Sequence, residues 1–137
     1  MNKKILIVSA DYYPEITEKL ELSSIECIRK DNSNISITKI RVPGVFEIPV
    51  IIAKYIDKVD GVVALGCVIK GETPHFDLIT NSVTDGIMNL SIDRKKPIGN
   101  GILACLDKGQ ALKRLDKGAE AANAVLKILS IKNDFKN

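Results

Sequence analysis

The sequence predicts a three-layer α/β/α sandwich, in which helices cover both faces of a central four-stranded parallel sheet. Four short apolar runs are separated by segments in which apolar residues recur with the period of a helix. The first and third runs are apolar throughout rather than alternating, which is typical of strands buried on both faces. Because strands and helices alternate with short connections, parallel pairing through right-handed crossovers is favoured.

The strands are predicted at residues 5–10, 35–42, 61–69 and 98–105. A first helix follows from the apolar stripe over residues 16–27, with Pro14 in its first turn. Pro49 has the same position relative to a second helix over residues 50–56.

The second half of the chain is predicted to contain three helices. One covers residues 76–90 and follows Thr73-Pro74, which fit a cap and a first helical turn. The tail is predicted to form helices over residues 108–115 and 119–131, interrupted at Gly118. The last residues, 132–137, are expected to fray.

The composition indicates one globular domain over residues 1–137, with 45% hydrophobic and 27% charged residues. A net charge of +3 with a single histidine is too small for a nucleic-acid surface, and the basic residues 94–96 are expected to form a solvated loop. No apolar run is long enough to cross a bilayer. We therefore expect a cytoplasmic protein with neither nucleic acid nor membrane as a partner.

The three cysteines, Cys27, Cys67 and Cys105, lie far apart and show no CxxC spacing. This pattern favours neither a zinc site nor a redox pair, and no metal site is predicted. Buried free thiols in a reducing compartment are the expected state of all three.

Ligands of parallel sheets bind at the carboxyl ends of the strands, so the unusual residues at those ends are candidates for function. After the first strand come Tyr12 and Tyr13, whose rings could stack on a flat heterocycle or cover the core. After the second strand, the turn VPGVFEIP places Glu47 just ahead of a helix. Its carboxylate could interact with the helix dipole or accept hydrogen bonds from ligand hydroxyls. Two prolines and a glycine hold this turn in a fixed shape, which favours recognition through the main chain of Val45 and Phe46.

The segment KGETPHFD after the third strand is the most informative. Gly71 permits close backbone approach, and Thr73 with the first amides of the next helix offers donors to a phosphate or carboxylate. His75 lies in the first turn, where the helix dipole disfavours the imidazolium form. It could act as a neutral base, or be a capping or core histidine. Arg114 and Lys117 flank a helix break, where an arginine could clamp a phosphate, although both could also be surface charges.

Three spaced motifs resemble those of the lumazine synthase family. Its members carry a VPG-x-FE-x-P turn, a G-x-VI-R-G-x-T-x-H segment and a Q-A-x-x-R helix followed by K-G. This chain has VPGVFEIP at 42–49, GCVIKGETPH at 66–75, QALKR at 110–114 and KG at 117–118. It departs from the usual pattern at Tyr12 for Phe or Trp, Lys70 for Arg and Asn100 for Phe, and in the short connection between Arg114 and Lys117.

The resemblance implies a flavodoxin-like fold and a transferase that works without a metal or organic cofactor. The implied reaction condenses 5-amino-6-(D-ribitylamino)uracil with 3,4-dihydroxy-2-butanone 4-phosphate to 6,7-dimethyl-8-ribityllumazine, in the penultimate step of riboflavin biosynthesis. His75 is implied as the proton donor. The implied substrate contacts are Tyr12 and Asn100 around the pyrimidine, Cys67, Val68 and Ile69 at its edge, Val45, Phe46 and Glu47 at the ribityl chain, and Glu72, Thr73, Arg114 and Lys117 at the phosphate.

The resemblance also implies a homopentamer whose sites are shared between neighbours. The pentamer could assemble further into a decamer or an icosahedral shell, and riboflavin synthase is a candidate partner. Two alternatives keep the fold without the reaction: a non-catalytic flavin or lumazine binder, and a protein whose main role is to form a shell. A binder would be expected to lose His75 or Arg114 while keeping its stacking ring, whereas this chain has all three.

Overall fold

A computed structural model describes residues 2–71 and 75–131. Its centre is a sheet of four parallel strands in the order β2-β1-β3-β4. The strands are β1 (Lys4–Ala10), β2 (Ser36–Val42), β3 (Gly61–Ile69) and β4 (Ile98–Cys105). The predicted four-stranded parallel sheet is confirmed, and each strand boundary lies within one residue of its predicted position.

Five helices connect and follow the strands in the described part of the chain: α1 (Pro14–Asp31), α2 (Ile48–Tyr55), α3 (His75–Arg94), α4 (Lys108–Leu112) and α5 (Lys117–Ser130). Pro14 and Pro49 lie in the first turns of α1 and α2, as predicted. The third helix is longer than predicted, and its candidate cap, Thr73-Pro74, lies outside the described residues. So does the tail over 132–137. None of the five helices is long and apolar enough to span a membrane.

Two apolar cores, one on each face of the sheet, complete the three layers. One packs α1 and α5 against one face of the sheet, and the other packs α2 and α3 against the opposite face. The central strands β1 and β3 are buried on both faces, which explains their unbroken apolar sequences. In the edge strand β4 the residues that face α5 are buried, whereas Asn100 and Ala104 on the other face are exposed.

The predicted helix interruption at Gly118 is wrong. Gly118 lies inside α5, and the two tail helices are separated by residues 113–116. A Cβ at Gly118 would lie 2.2 Å from the carbonyl oxygen of Leu20 in α1. The glycine is therefore needed for close packing between helices rather than for a break in the chain.

Hydroxyl groups hold α1 and α5 together at this contact. Ser24 Oγ donates to the Gly118 carbonyl at 2.6 Å, and the Ala119 amide donates to Ser23 Oγ at 2.9 Å. These hydrogen bonds need the short separation of the helices that the glycine allows.

Two smaller expectations are corrected. The three cysteines are free, but Cys27 is only half-buried. The basic residues 94–96 are not simply a solvated loop. Arg94, the last residue of α3, pairs with Asp57 at 2.7 Å, and Lys96 Nζ donates to the carbonyl of Ile56 at 3.0 Å. Two of these three cations therefore tie the end of α3 to the segment that follows α2.

Candidate active site

A cavity of about 320 Å³ opens at the carboxyl ends of β1 and β3. Six of its lining residues are predicted site residues: Tyr12, Val45, Phe46, Cys67, Val68 and Ile69. The lining is completed by Tyr13, Gly44 and Ile79. A larger depression of about 580 Å³ lies between α1 and α5, but it is more open and away from the strand ends. The smaller cavity is the better candidate because parallel sheets bind ligands at the carboxyl ends of their strands.

The two tyrosines form one wall of this cavity. Tyr12 is 72% exposed, and its ring meets the Tyr13 ring edge to face, with centroids 4.9 Å apart and an interplanar angle of 79°. Tyr13 packs against the core under α1, and burial, followed by the effect of Tyr12, raises its pKa. Tyr12 is therefore an exposed ring held by a better-buried one, an arrangement suited to stacking on a ligand.

The turn before α2 forms a second wall. Val45 is buried and Phe46 is exposed, both within a short 3₁₀ turn over Val45–Glu47. Glu47 Oε1 accepts a hydrogen bond from the Gly44 amide at 2.9 Å. Its carboxylate therefore stabilises the turn that presents Val45 and Phe46, which neither sequence-based interpretation of Glu47 anticipated.

The end of β3 closes the cavity. Burial, followed by the effect of the neighbouring Cys105, raises the pKa of the Cys67 thiol to about 11. The thiol is therefore protonated at neutral pH and is an apolar wall rather than a nucleophile. Val45 and Val68 also line a smaller cavity of about 40 Å³, which Asn100 lines as well.

His75 is the first residue of α3 and its side chain is exposed, so it is not a core histidine. It lies one turn before Ile79, which lines the cavity. Residues four apart share a helix face, so His75 lies on the same face of α3 as Ile79, although it is not itself one of the residues that line the cavity. Glu72 and Thr73, the predicted phosphate contacts next to it, lie outside the described residues.

Five predicted site residues that the structure describes do not line the 320 Å³ cavity: Glu47, His75, Asn100, Arg114 and Lys117. Asn100 is exposed on β4, and its Oδ1 accepts a hydrogen bond from the Ile102 amide at 3.0 Å. Arg114 is exposed in the segment between α4 and α5, and Lys117 begins α5. Burial raises the pKa of Cys105, and the positive charge of Arg114 opposes this shift. The Arg114 side chain is therefore close enough to the end of β4 to affect the Cys105 thiol.

Sequence reasoning missed two lining residues, Gly44 and Ile79, and one ion-pair network. Gly44 is the sequence neighbour of Val45, and Ile79 follows from His75 by helical period. Tyr13, named beside Tyr12 as a ring that could stack on a ligand or cover the core, lines the cavity and packs against the core. The network joins Glu21 of α1, Arg41 of β2 and Asp11. The sequence could have indicated this network, because Glu21 lies on the side of the predicted first helix that faces the core.

The arrangement combines a cavity with aromatic and aliphatic walls, exposed backbone at a strand end, a histidine at its margin and two cations further along the sheet edge. It fits a flat heterocycle with a polar chain better than a metal ion. Within residues 2–71 and 75–131, no group of three or more His, Cys, Asp or Glu side chains is placed to hold a metal.

Comparison with known proteins agrees with this geometry. The family model described as 6,7-dimethyl-8-ribityllumazine synthase matches residues 2–133. Proteins of that name from Methylobacterium radiotolerans and Bdellovibrio bacteriovorus are each 39% identical to this chain. The alignments cover 94% and 96% of this chain and 82% and 76% of those proteins. The protein of that name from Corynebacterium glutamicum is 38% identical over 90% of this chain and 80% of its own length. The chain therefore belongs to the 6,7-dimethyl-8-ribityllumazine synthase family.

Proposed function

We propose that this enzyme condenses 5-amino-6-(D-ribitylamino)uracil with 3,4-dihydroxy-2-butanone 4-phosphate to form 6,7-dimethyl-8-ribityllumazine, with release of phosphate and water. This is the penultimate step of riboflavin biosynthesis. Membership of the family supports the reaction. The observation that carries it to this chain is the cavity at the ends of β1 and β3, where six residues of the expected substrate site line one space.

The pyrimidine substrate would occupy this cavity. Tyr12 would stack on the ring, and the main chain of Cys67, Val68 and Ile69 would meet the polar edge of the pyrimidine. The ribityl chain would lie along the turn at Val45 and Phe46. Since Oε1 of Glu47 already accepts from the Gly44 amide, the ribityl hydroxyls would be bound by Oε2.

The second substrate brings a phosphate group, which needs cations or amide donors. Arg114 is the expected clamp because its guanidinium can donate to two oxygens at once, with Lys117, Glu72 and Thr73 as further contacts. Imine formation, phosphate elimination and ring closure all require protons to move. His75, exposed at the start of α3 on the same face as Ile79, would carry those protons.

The site would be shared between subunits of a homopentamer. One subunit would supply Tyr12, Glu47 and His75, and its neighbour would supply Asn100 and Arg114. Leu78, Met88 and Ile92 are large apolar side chains exposed on α3, and a closed symmetric assembly would cover such residues. Further assembly into a decamer or icosahedral shell, a cytoplasmic location and riboflavin synthase as a partner belong to the same proposal.

The reaction is tested by following the absorbance of the lumazine after the two substrates are mixed with purified protein. Lumazine formation well above the uncatalysed rate is expected. Binding of the pyrimidine without turnover would refute the proposed reaction and favour a non-catalytic binder.

The shared site is tested by mixing unfolded His75→Ala and Arg114→Ala chains, each defective alone, and refolding them together. With random assembly, about a quarter of the interfaces should contain an intact His75 opposite an intact Arg114. The matched control is Lys113→Ala, which removes the exposed cation next to Arg114 and should stay active without mixing. Mixtures no better than the average of the parents, despite proven co-assembly, would refute sharing.

A further inference from the structure

An ion-pair network that the proposed reaction does not use joins the two chain segments that lead into the walls of the cavity. Arg41 Nη2 donates to Glu21 Oε1 at 2.7 Å, and Nε donates to Oε2 of the same carboxylate at 3.3 Å. Its third nitrogen, Nη1, donates to Asp11 Oδ1 at 3.1 Å. One planar guanidinium therefore binds carboxylates from α1 and from the connection that follows β1.

The burial of the three side chains differs in a way that assigns their roles. The Glu21 side chain is only 4% exposed, whereas Arg41 and Asp11 are 41% and 42% exposed. A nearly buried carboxylate needs a partner, so Glu21 fixes the position of Arg41. Burial raises the pKa of Glu21, but the hydrogen bond from Arg41, with smaller contributions from Ser9 and from the charges of Arg41 and Lys39, lowers the pKa overall. The Arg41–Asp11 contact is the solvent-facing arm of the network.

That arm connects the loops that form the cavity. Asp11 directly precedes Tyr12, and Arg41 lies one residue before Val42, which leads into the turn with Val45. The Asp11 amide also donates to the Val42 carbonyl at 2.8 Å. The aromatic wall and the turn wall are thus held together immediately before each of them enters the cavity.

We infer that Arg41 is a positioning residue: anchored by Glu21, it holds Asp11 and so fixes the distance between the Tyr12 wall and the Val45–Phe46 wall. This inference rests on the proposed function, because it assigns the pyrimidine substrate to the space between those walls. Arg41 does not touch the substrate. Loss of its contact with Asp11 weakens substrate binding by letting the two loops move independently.

The test compares Asp11→Ala, Arg41→Lys and the double variant. Asp11→Ala removes the arm but leaves the Glu21–Arg41 pair intact, which avoids the risk that Arg41→Ala leaves Glu21 buried without a partner and fails to fold. Arg41→Lys can still neutralise Glu21, but one ammonium cannot reproduce a fork that spans two carboxylates. The matched control is Asp57→Ala, which breaks the exposed Arg94–Asp57 pair outside the cavity.

The expected result is a KM for the pyrimidine substrate raised about three- to fivefold in Asp11→Ala, the effect of one half-exposed ion pair, with kcat within about twofold. A merely structural role would lower the active fraction and hence the apparent kcat while leaving KM unchanged. Arg41→Lys should match Asp11→Ala, and the double variant should be no worse than either. Asp57→Ala should leave KM unchanged.

Amide hydrogen exchange of residues 12–13 and 44–46 provides a readout that does not depend on activity. Exchange should be faster in Asp11→Ala and Arg41→Lys than in the wild type and Asp57→Ala. Unchanged KM and exchange in Asp11→Ala, or full function in Arg41→Lys, would overturn the positioning role. An inactive wild-type protein would overturn the proposed reaction instead, while the exchange comparison would still decide whether Arg41 ties the loops.

Discussion

Replacement of Gly118 by alanine should destabilise the protein by about 2–4 kcal/mol, because α1 and α5 are in contact at this residue. The new Cβ would lie 2.2 Å from the Leu20 carbonyl oxygen, whereas ordinary contact begins at 3.4 Å. Since the obstacle is backbone, no side-chain rotation relieves it, and the helices must separate by about 1 Å. Gly118 does not adopt a positive φ, so the substitution adds no backbone strain.

The magnitude follows from three effects. Overpacking of a well-packed contact costs about 1–3 kcal/mol. A separation of about 1 Å would also break the hydrogen bonds from Ser24 to Gly118 and from Ala119 to Ser23, now 2.6 and 2.9 Å, at about 1 kcal/mol each. The higher helix propensity of alanine offsets about 1 kcal/mol of this loss, which leaves a net loss of about 2–4 kcal/mol.

Urea unfolding, followed by circular dichroism at one fixed protomer concentration, measures the effect. The midpoint for Gly118→Ala should fall by about 1–2 M, given a slope of about 2 kcal/mol/M. Gly86→Ala is the matched control. Gly86 lies in α3, and its new Cβ would be 3.4 Å from Pro49, which is ordinary contact. This substitution should be neutral or stabilising by up to about 1 kcal/mol. A Gly118→Ala protein as stable as the wild type, with an unchanged slope, would refute the close-packing argument.

Four further predictions concern the site and its surroundings. Tyr12→Phe should change the KM of the pyrimidine substrate by less than about twofold, and Tyr12→Leu should raise it about tenfold or more, because the ring rather than the hydroxyl stacks on the pyrimidine; equal losses in steady-state assays would implicate the hydroxyl. Arg114→Ala should mainly raise the KM of the phosphate substrate, about tenfold or more, whereas His75→Ala should mainly lower kcat, about a hundredfold. Identical effects of these two changes on both substrates would contradict their separate roles. Purified enzyme should keep its rate in a metal chelator, and a loss that a divalent ion restores would count against this expectation. The free energy of unfolding of the wild type should exceed that of Glu21→Gln by a constant amount above pH 5. This difference should shrink as the pH falls below about 4.5, because the folded-state pKa of Glu21 is lowered from 4.5. A difference that persists unchanged in acid would show that the charge of Glu21 is not needed.

The sheet could be predicted from the sequence because each strand carries its own signal. Strands β1 and β3 are apolar on both faces, and the positions of Pro14 and Pro49 mark where two helices begin. Since the carboxyl ends of parallel strands share one edge of the sheet, Tyr12, Val45 and Cys67 could be expected to meet, and they line one cavity.

What could not be predicted depends on contacts between elements that are distant in sequence. Glycine often ends a helix, so Gly118 gave a misleading local signal, and only the Leu20 carbonyl beside it explains its presence. The Glu21–Arg41 pair exists because β2 lies next to β1 with α1 packed above them, an order that composition and periodicity do not reveal.

The hydrogen bond from the Ile102 amide to Asn100 has a consequence for how β4 can meet another molecule. β4 is an edge strand, and its unpaired amides would otherwise offer a template for a further strand. The Asn100 side chain occupies one such amide in the middle of the strand, so an incoming chain would have to displace it before a continuous ladder could form. Strand addition at this edge therefore competes with a hydrogen bond inside the molecule, which favours contacts made by side chains.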